Sequence, residues 1–532
     1  MSATSHLRHS QTARPSSPHT PQQSLRSGNT SFTSTTSPGS SFRNEDDAII
    51  FEIGARFLKA GFEGSGTPMC VRRFGPEESR RAADYRGWIH GEIGAGPLPK
   101  PVNGDEWVRD YELWQQDLRN VDLGLVEDKI ERVFRETYNQ YMLTDAGTSR
   151  LVLTLPALMP HPLLSSLLST LFSRWRFPSI TLLPSATMAT TAAGLRSALV
   201  VDLGWAETTV TGIYEYRETI TKRSTRAMRA LMLEMGRFFT KLDSDDSNTK
   251  ERESDCDISV GFAYCEEVVS KFAWCRLQAE DAEGDNTADK TISIPSPQNP
   301  EHEYQDLQLS DLAKRVEKVI LGSDIPEGDF DDDERPIPLL IYNALLALPP
   351  DARGTCMARI VFMGGGSRIP GLRQRILKEV QALINRHGWS AIRGKVVERQ
   401  RQRLEELKIS KQADISTQPP ENSAADSTED TKPDPSKEER EVDFVEQKLR
   451  RQNKDTPVPV QGILREVESL GSWAGASLVT SLKIRGMVEI EREKFLQHGL
   501  AGATRDLDHP VPDRRSGLRA GDRSSWTLAG WA

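Results

Sequence analysis

The sequence has no run of 18 apolar residues and no signal-peptide core. These absences argue against a membrane-spanning helix and predict an intracellular protein. The net charge of −9 does not favour wholesale binding to nucleic acid. The chain of 532 residues is long enough for two or more domains.

Patterns typical of metal clusters and disulfide frameworks are also missing. The five cysteines form no CxxC pair, and the nine histidines form neither HxxxH nor HExxH. The acidic stretch DFDDDERP at 329–336 lacks the spacing of an EF-hand. We therefore expect buried, unreactive thiols and an exposed acidic loop.

Acidic residues are absent from the first 44 residues, which are rich in Ser, Thr, Pro and Gln. Such a composition cannot bury enough apolar surface to offset its chain entropy, so we predict a disordered tail over residues 1–46. Polar composition predicts further disordered insertions near 243–257 and 280–304, a charged helix and disordered insertion over 386–460, and a disordered tail over 502–532. The ordered core is expected to comprise residues 47–385 and 461–501.

Strands and helices alternate within this core. The stretch RLVLTLP at 150–156 is typical of a buried strand, and HPLLSSLLSTLFSRW after it places leucines at helical spacing. SITLLP and SALVVDLG follow as further strands, separated by a helix of small residues. This alternation predicts an α/β fold whose internal sheet is covered by helices.

Two stretches about 150 residues apart share one pattern. AIIFEIG at 48–54 and ALVVDLG at 198–204 each consist of Ala, three large apolar residues, an acid, an aliphatic residue and Gly, and a second strand follows each. We call these units hairpin 1 and hairpin 2. Their repetition predicts two related α/β domains. The acids Glu52 and Asp202 would then face one another across a cleft, where they would hold Mg²⁺ through water.

A third element is RIVFMGGGSRIPGLRQRI at 359–376. A strand enters three glycines and leaves into a helix, with Pro370 expected in the first turn of that helix. Gly364, Gly365 and Gly366 permit close backbone approach, and the helix N-terminus offers unpaired N–H groups to a phosphate or nucleoside.

Together with LGSWAGASLVTSL at 470–482, these elements resemble the actin superfamily in their order and approximate separation, over about Ala48 to Leu500. The resemblance implies an actin-like, ribonuclease H-like α/β fold, in which two duplicated domains enclose a nucleotide cleft. It also implies ATP or ADP with Mg²⁺ as the cofactor. The residues expected to bind this cofactor are Gly54, Arg56, Lys59, Asp202, Gly204, Gly364, Gly365 and Gly366, with Glu52 and Asp202 holding the metal through water.

Several turn residues depart from the family's pattern. Arg56 and Ala206 stand where the family has glycines, and Trp205 follows Gly204. Replacing a glycine that needs a positive φ angle costs about 1 kcal/mol and can turn an N–H group away from a phosphate. We expect Arg56 to compensate by contacting a phosphate, and Trp205 to pack over the turn.

Residues for turnover are missing as well. Ser185 stands where the family has the Gln that orients the attacking water, and Thr209 stands where it has a His. Val269 and Ser270 replace a Lys and a Glu that contact the nucleoside. Orienting or deprotonating a water is worth a factor of about 10² to 10⁴. We can nominate no catalytic residue, so useful hydrolysis is not expected, and nucleotide binding itself stays open.

The stretch RFPSITLLPSATMATTAAGLRSALVVDLGWAETTVTGIYE at 176–215 most resembles the divergent branch of actin-related proteins at the pointed end of dynactin. This likeness implies a non-motor adaptor of the cytoplasm and cytoskeleton. Its partners would be the actin-related protein of the dynactin filament, other pointed-end subunits and, indirectly, dynein, in support of transport along microtubules. No direct contact with nucleic acid is expected.

One feature of a filament-forming member is not found. Between Gly64 and Leu125 nothing resembles the segment whose loop inserts into the next subunit. The chain is therefore expected to bind a filament end from one side and not to polymerise alone. Two alternatives stay open: a nuclear subunit of a chromatin-remodelling complex, for which KLRRQNK at 448–454 resembles a localisation patch, and an active actin-like ATPase.

Overall fold

Two mixed β-sheets and the helices around them make up the described part of the chain. The computed structural model describes residues 48–79, 81, 101–156, 158–245, 257–277, 290–297, 304–324, 330–389, 462–484 and 487–505. The strands are β1 (Ile49–Ile53), β2 (Phe57–Phe62), β3 (Cys70–Arg73), β4 (Val102–Asn103), β5 (Leu151–Leu155), β6 (Ser179–Pro184), β7 (Ala198–Leu203), β8 (Thr208–Tyr214), β9 (Arg217–Ser224), β10 (Asp257–Ile258), β11 (Thr291–Pro295), β12 (Tyr304–Gln308), β13 (Ile360–Met363), β14 (Val488–Glu491) and β15 (Thr504–Arg505).

The α-helices alternate with these strands. They are α1 (Gly104–Arg109), α2 (Leu123–Thr137), α3 (His161–Thr170), α4 (Ser185–Ala192), α5 (Met228–Asp245), α6 (Phe262–Phe272), α7 (Leu309–Val316), α8 (Ile337–Ala347), α9 (Pro350–Met357), α10 (Leu372–His387), α11 (Ser472–Ser481) and α12 (Arg492–His498). Short 3₁₀ turns occupy Leu118–Asn120, Gly365–Arg368 and Gly499–Gly502, and π-helical turns occupy Tyr138–Met142, Leu171–Trp175 and Glu317–Leu321. None of the helices in the described part of the chain is both long enough and apolar enough to cross a membrane.

The first sheet has the strand order β15-β14-β6-β5-β1-β2-β3. Its centre, β1, β5 and β6, is parallel, and the outer strands pair antiparallel with their neighbours. Every residue of β5 is buried, because helices cover both faces of the parallel centre. On one face Phe51 stacks on Phe134 of α2 with ring centroids 4.3 Å apart, and on the other Ile50 packs with Trp473 of α11.

The second sheet repeats the centre of the first. Its order is β13-β7-β8-β9, with β13 parallel to β7 and the other pairs antiparallel. Hairpin 1 is therefore β1–β2 beside the parallel strand β5, and hairpin 2 is β7–β8 beside the parallel strand β13. The predicted duplication is confirmed. We call each sheet with its helices and apolar core the first half and the second half; both lie in one compact unit.

The interval 280–304, predicted to be a disordered insertion, contains the ordered strand β11 and the first residue of β12. β11 and β12 pair antiparallel, with Ile292 opposite Leu307. Ile294 and Leu307 are buried in the core of the second half. The alternation of apolar residues in TISI is the strand signal, and the polar residues on both sides obscured it.

Other predicted boundaries also shift. The insertion near 243–257 is shorter than expected, because α5 runs to Asp245 and β10 begins at Asp257. α10 begins only after Gly371, which has a φ of +79°, so Pro370 precedes the helix and does not lie in its first turn. The C-terminal part of the core continues to β15. The predicted tails up to residue 46 and beyond 505, and most of the insertion over 386–460, lie outside the described residues.

Candidate functional site

Hairpins 1 and 2 bring their acids to one place. Glu52 is the next-to-last residue of β1, and Asp202 is the next-to-last residue of β7. Burial, together with the carboxylates of Glu52 and Glu207, raises the pKa of Asp202 to about 7, and Lys59 opposes this shift. Such coupling requires the ends of β1 and β7 to be close together.

Two carboxylate oxygens beside Asp202 have no partner in the described part of the chain. Lys59 lies opposite Glu52 in hairpin 1, and its Nζ donates to Glu52 Oε1 at 2.7 Å. The other oxygen, Glu52 Oε2, is buried and unpaired, and so is Glu207 Oε2 of hairpin 2. Buried, unpaired carboxylate oxygens are what a hydrated cation can satisfy.

This donor set fits the Mg²⁺ ion that is predicted to bind Glu52 and Asp202 through water. Within the described ranges, no three or more His, Cys, Asp or Glu side chains are grouped to bind a metal directly. A bound ion would neutralise these carboxylates and attract phosphate oxygens to them. Because the pKa of Asp202 is about 7, the site is most favourable to a cation above that pH.

The three glycines after β13 border hairpin 2. A Cβ atom on Gly364, whose φ is +81°, would lie 2.5 Å from Asp202 Oδ1 and 2.4 Å from the carbonyl oxygen of Leu203. A Cβ atom on Gly366 would lie 3.1 Å from Leu203 Cβ, whereas one on Gly365 would meet nothing within 4 Å. Gly364 and Gly366 thus permit close packing on hairpin 2, and Gly365 borders open space.

Gly54 and Gly204 have structural roles in the turns of hairpins 1 and 2. The N–H of Gly54 donates to the carbonyl oxygen of Phe57 at 2.9 Å, so it closes the turn of hairpin 1. A Cβ atom on Gly204 would approach the carbonyl oxygen of Glu207 to 2.8 Å. The carbonyl oxygen of Gly204 accepts from the N–H of Met228 at 3.1 Å, which fixes the start of α5 against hairpin 2.

Arg56, which was expected to contact a phosphate, instead makes its contacts within the chain. Arg56 is only 3% exposed. Its Nη2 donates to Glu266 Oε1 at 2.9 Å and to Oε2 at 3.1 Å. Its Nη1 donates to the carbonyl oxygens of Tyr111, at 2.9 Å, and Phe74. The positive charge is thus neutralised by a carboxylate of the second half.

The strain predicted for the two replaced glycines is also absent. Within the described residues, those other than glycine with a positive φ are Leu143, Arg176, Glu215, Tyr216 and Lys483. Arg56 and Ala206 are not among them, so neither turn needs the conformation that only glycine adopts freely. The expected cost of about 1 kcal/mol per replacement does not arise.

Trp205 packs over the turn of hairpin 2, as predicted. Its ring lies against the core of the second half, 5.9 Å from the ring centroid of Phe262. Its Nε1 donates to Glu112 Oε2 at 2.9 Å. A tryptophan with both an apolar contact and a satisfied N–H is held firmly in place.

The positions associated with turnover carry no acid or base. Ser185 is the buried first residue of α4, and Thr209 lies opposite Asp202 in hairpin 2. On α6, Val269 is buried, and the hydroxyl of the exposed Ser270 donates to a carbonyl oxygen of its own helix at 2.8 Å. None of these four side chains can exchange a proton near neutral pH, so they do not support hydrolysis.

Sequence reasoning missed three acidic residues of this region, Glu112, Glu207 and Glu266. All three lie outside the two repeated strand–acid–glycine patterns, so no local signal marks them. One indirect signal existed. The charged Arg56 replaces a glycine in a buried turn, and a buried guanidinium requires an anionic partner.

Comparison with known proteins agrees with this geometry. Residues 43–405 match the family model Actin. The chain is 22% identical over 340 residues to actin-related protein 2 of Saccharomyces cerevisiae, covering 63% of this chain and 81% of that protein. It is 20% identical over 391 residues to actin-related protein 4 of Oryza sativa subsp. indica, covering 63% of this chain and 85% of that protein. The family match spans more than half of the chain and both duplicated halves, and the chain belongs to the actin family.

Proposed function

We propose that this chain is a non-motor, structural subunit that caps the pointed end of the dynactin filament and so supports dynein-dependent transport along microtubules. The likeness of residues 176–215 to that branch of the family motivates the proposal. The structural observation that carries it concerns the segment after hairpin 1. In a filament-forming member, the resemblance places there the loop that inserts into the next subunit.

The described part of this segment is committed to contacts within the chain. We name residues 101–112 the strap. Its strand β4 pairs antiparallel with β10 of the second half. Within α1, Trp107 Nε1 donates to the carbonyl oxygen of Val260 at 2.7 Å. The strap, folded back in this way, is not free to extend into a neighbour, which supports binding at a filament end.

A capping subunit also needs a face that binds the neighbouring subunit. The C-terminal end of α11 has an exposed apolar face. Leu478, Leu482 and Ile484 are 45%, 63% and 45% exposed. Leu478 and Leu482 are four residues apart and lie on one face. Grouped apolar exposure of this kind is typical of interaction sites. We therefore assign the docking of the terminal filament subunit to this face.

Native affinity purification of the tagged full-length chain at moderate salt, followed by mass spectrometry, tests the proposal. We expect the chain to recover dynactin filament and shoulder subunits. The double variant Leu478→Asp, Leu482→Asp should lose them, whereas the control Leu496→Asp, at a 56% exposed position on α12, should retain them. Recovery of remodelling ATPase subunits would support the nuclear alternative, and filament formation by the isolated chain would contradict the cap.

We further infer that the cleft binds Mg²⁺ with ATP or ADP without useful turnover. The unpaired oxygens of Glu52 and Glu207 and the open space at Gly365 support binding. Nucleotide released by acid from the purified protein should approach one molecule per chain and fall in Glu52→Gln. Phosphate release from ATP should stay at the level of buffer. Release that depends on the protein and is lost in Asp202→Asn would instead support the ATPase alternative.

A further inference from the structure

The strap joins the two halves of the molecule. Trp107 and Val108 of the strap are buried in the core of the second half. The next residue after the strap, Leu113, is buried in the core of the first half, and its N–H donates to the carbonyl oxygen of Ala55 at 2.7 Å. The chain therefore crosses between the halves near Glu112.

Glu112, at the point where the chain crosses, forms hydrogen bonds with residues of both halves. Its carboxylate accepts from Trp205 Nε1 at 2.9 Å and from Arg229 Nε at 3.1 Å, both in the second half. Its carbonyl oxygen accepts from Nζ of Lys129 on α2, in the first half, at 2.8 Å. Since Lys129 is only 2% exposed, separating the halves would leave its buried charge without this acceptor.

Arg56 forms a second link between the halves. Hairpin 1 carries it, and its partner Glu266 lies on α6, which packs in the core of the second half. Its guanidinium carbon is 5.2–5.7 Å from four ring centroids, those of Phe57, Tyr111, Trp205 and Phe262. The rings shield the guanidinium from water, so loss of the Glu266 carboxylate would leave the Arg56 charge buried without its anionic partner. Glu266 itself is 24% exposed and also accepts from Arg73 Nη1 at 3.2 Å.

We propose that the strap and the Arg56–Glu266 pair clamp the two halves together, so that their closure does not depend on a nucleotide. A ligand controls a cleft only when an open state is available for it to act on. Opening would here separate Arg56 from Glu266 and from the carbonyl oxygen of Tyr111, and Lys129 from the carbonyl oxygen of Glu112. The closed arrangement is thus a property of the chain itself, whichever complex the chain joins.

Hydrogen exchange of the full-length protein, followed by mass spectrometry, tests this clamp. Protein stripped with EDTA and charcoal is compared with protein in an excess of ATP and Mg²⁺. We expect exchange in peptides that cover the strap and α6 to differ by less than about twofold. An increase of about tenfold or more in the stripped protein would show that the nucleotide holds the halves, and would overturn the proposal.

A variant of the clamp extends the test. Arg56→Met removes the charge and keeps an apolar side chain, so exchange in the strap should rise about tenfold or more while β5 stays protected. The matched control Arg72→Met removes a partly exposed ion pair with Glu136 from the same sheet and should leave the strap unchanged.

A further variant distinguishes loss of the Arg56–Glu266 ion pair from a general folding defect. Glu266→Gln weakens the pair more gently, because the amide oxygen of Gln can still accept from Arg56, and should raise exchange in the strap less than Arg56→Met does. If exchange in the strap is unchanged in both Arg56→Met and Glu266→Gln, the ion pair does not hold the halves and the proposal fails.

Discussion

Hairpins 1 and 2 share one backbone plan but neutralise their acids differently. In hairpin 1, Lys59 lies opposite Glu52 and donates to it at 2.7 Å. In hairpin 2 the residue opposite Asp202 is Thr209, which carries no charge, and burial and neighbouring carboxylates raise the pKa of Asp202 to about 7. Duplication thus preserved the position of the acid but not its electrostatic environment.

The turns of the two hairpins differ in a complementary way. Each contains one large side chain, Arg56 in hairpin 1 and Trp205 in hairpin 2. The two side chains meet, with the guanidinium carbon of Arg56 5.7 Å from a ring centroid of Trp205. Small residues in such turns leave room for a ligand, whereas these two fill the junction between the halves. Arg56 in one turn and Trp205 in the other therefore pack as a pair.

The largest effect on the free energy of unfolding is expected at Gly364, which packs against hairpin 2. Gly364→Ala would place Cβ 2.4 Å from a backbone oxygen at a φ of +81°, so the free energy of unfolding should fall by about 3 kcal/mol or more. Urea denaturation measures this change. Gly365→Ala is the control, because its Cβ would meet nothing within 4 Å. Equal stabilities of the two variants would contradict the close packing of β13 on hairpin 2.

Removing the large side chain of hairpin 2 should have the next largest effect. Trp205→Ala creates a partly exposed cavity and leaves the carboxylate of Glu112 with one donor fewer, so we expect a loss of about 2–3 kcal/mol in the free energy of unfolding. Trp205→Phe keeps most of the ring contact and should cost about 1 kcal/mol. Urea denaturation distinguishes them, and an alanine variant as stable as the wild type would show that Trp205 is not packed in solution.

The acid of hairpin 2 should make stability depend on pH. With its pKa raised to about 7, folded Asp202 holds a proton that the unfolded chain releases near pH 4, so the free energy of unfolding falls as pH rises from about 4 to about 7. Asp202→Asn removes this dependence. We expect it to stabilise the protein by about 1–3 kcal/mol at pH 8 and to have little effect near pH 4.

Denaturation with urea across this pH range, in EDTA to exclude cations, measures the effect. Glu52→Gln sharpens the comparison, because it removes one carboxylate that raises the pKa of Asp202 and should move the pH dependence to lower pH. If Asp202→Asn and the wild type show parallel pH profiles, the charge of Asp202 is better solvated than its burial indicates.

Local patterns were sufficient to predict the fold and the meeting of the acids. The alternation of strands and helices and the repeated acid–glycine hairpins are encoded within a few residues, and the structure contains both. The contacts between the halves were not predictable in this way. Arg56 and Glu266 are 210 residues apart, and a single sequence contains no signal that pairs residues over such a distance. The hairpin β11–β12 was missed because its short apolar alternation is flanked by polar residues.

Backbone strain was predicted at Arg56 and Ala206, but neither residue has a positive φ. The smallest expected change in the free energy of unfolding tests this difference. Ala206 replaces a family glycine but lacks a positive φ, whereas Tyr216 has a φ of +61°. Ala206→Gly should therefore lower the free energy of unfolding by about 0.5–1 kcal/mol, because glycine gains freedom in the unfolded chain. Tyr216→Gly should raise it by about 0.5 kcal/mol, since relief of the left-handed conformation exceeds the loss of the contact with Arg196.

The two substitutions have opposite expected signs, so the comparison does not depend on the absolute size of either effect. Urea denaturation of both variants beside the wild type is sufficient. A stabilising Ala206→Gly would mean that the backbone of hairpin 2 favours glycine at this position in solution. A destabilising one would mean that alanine is compatible with the backbone of the turn, so that the replacement of glycine imposes no strain there.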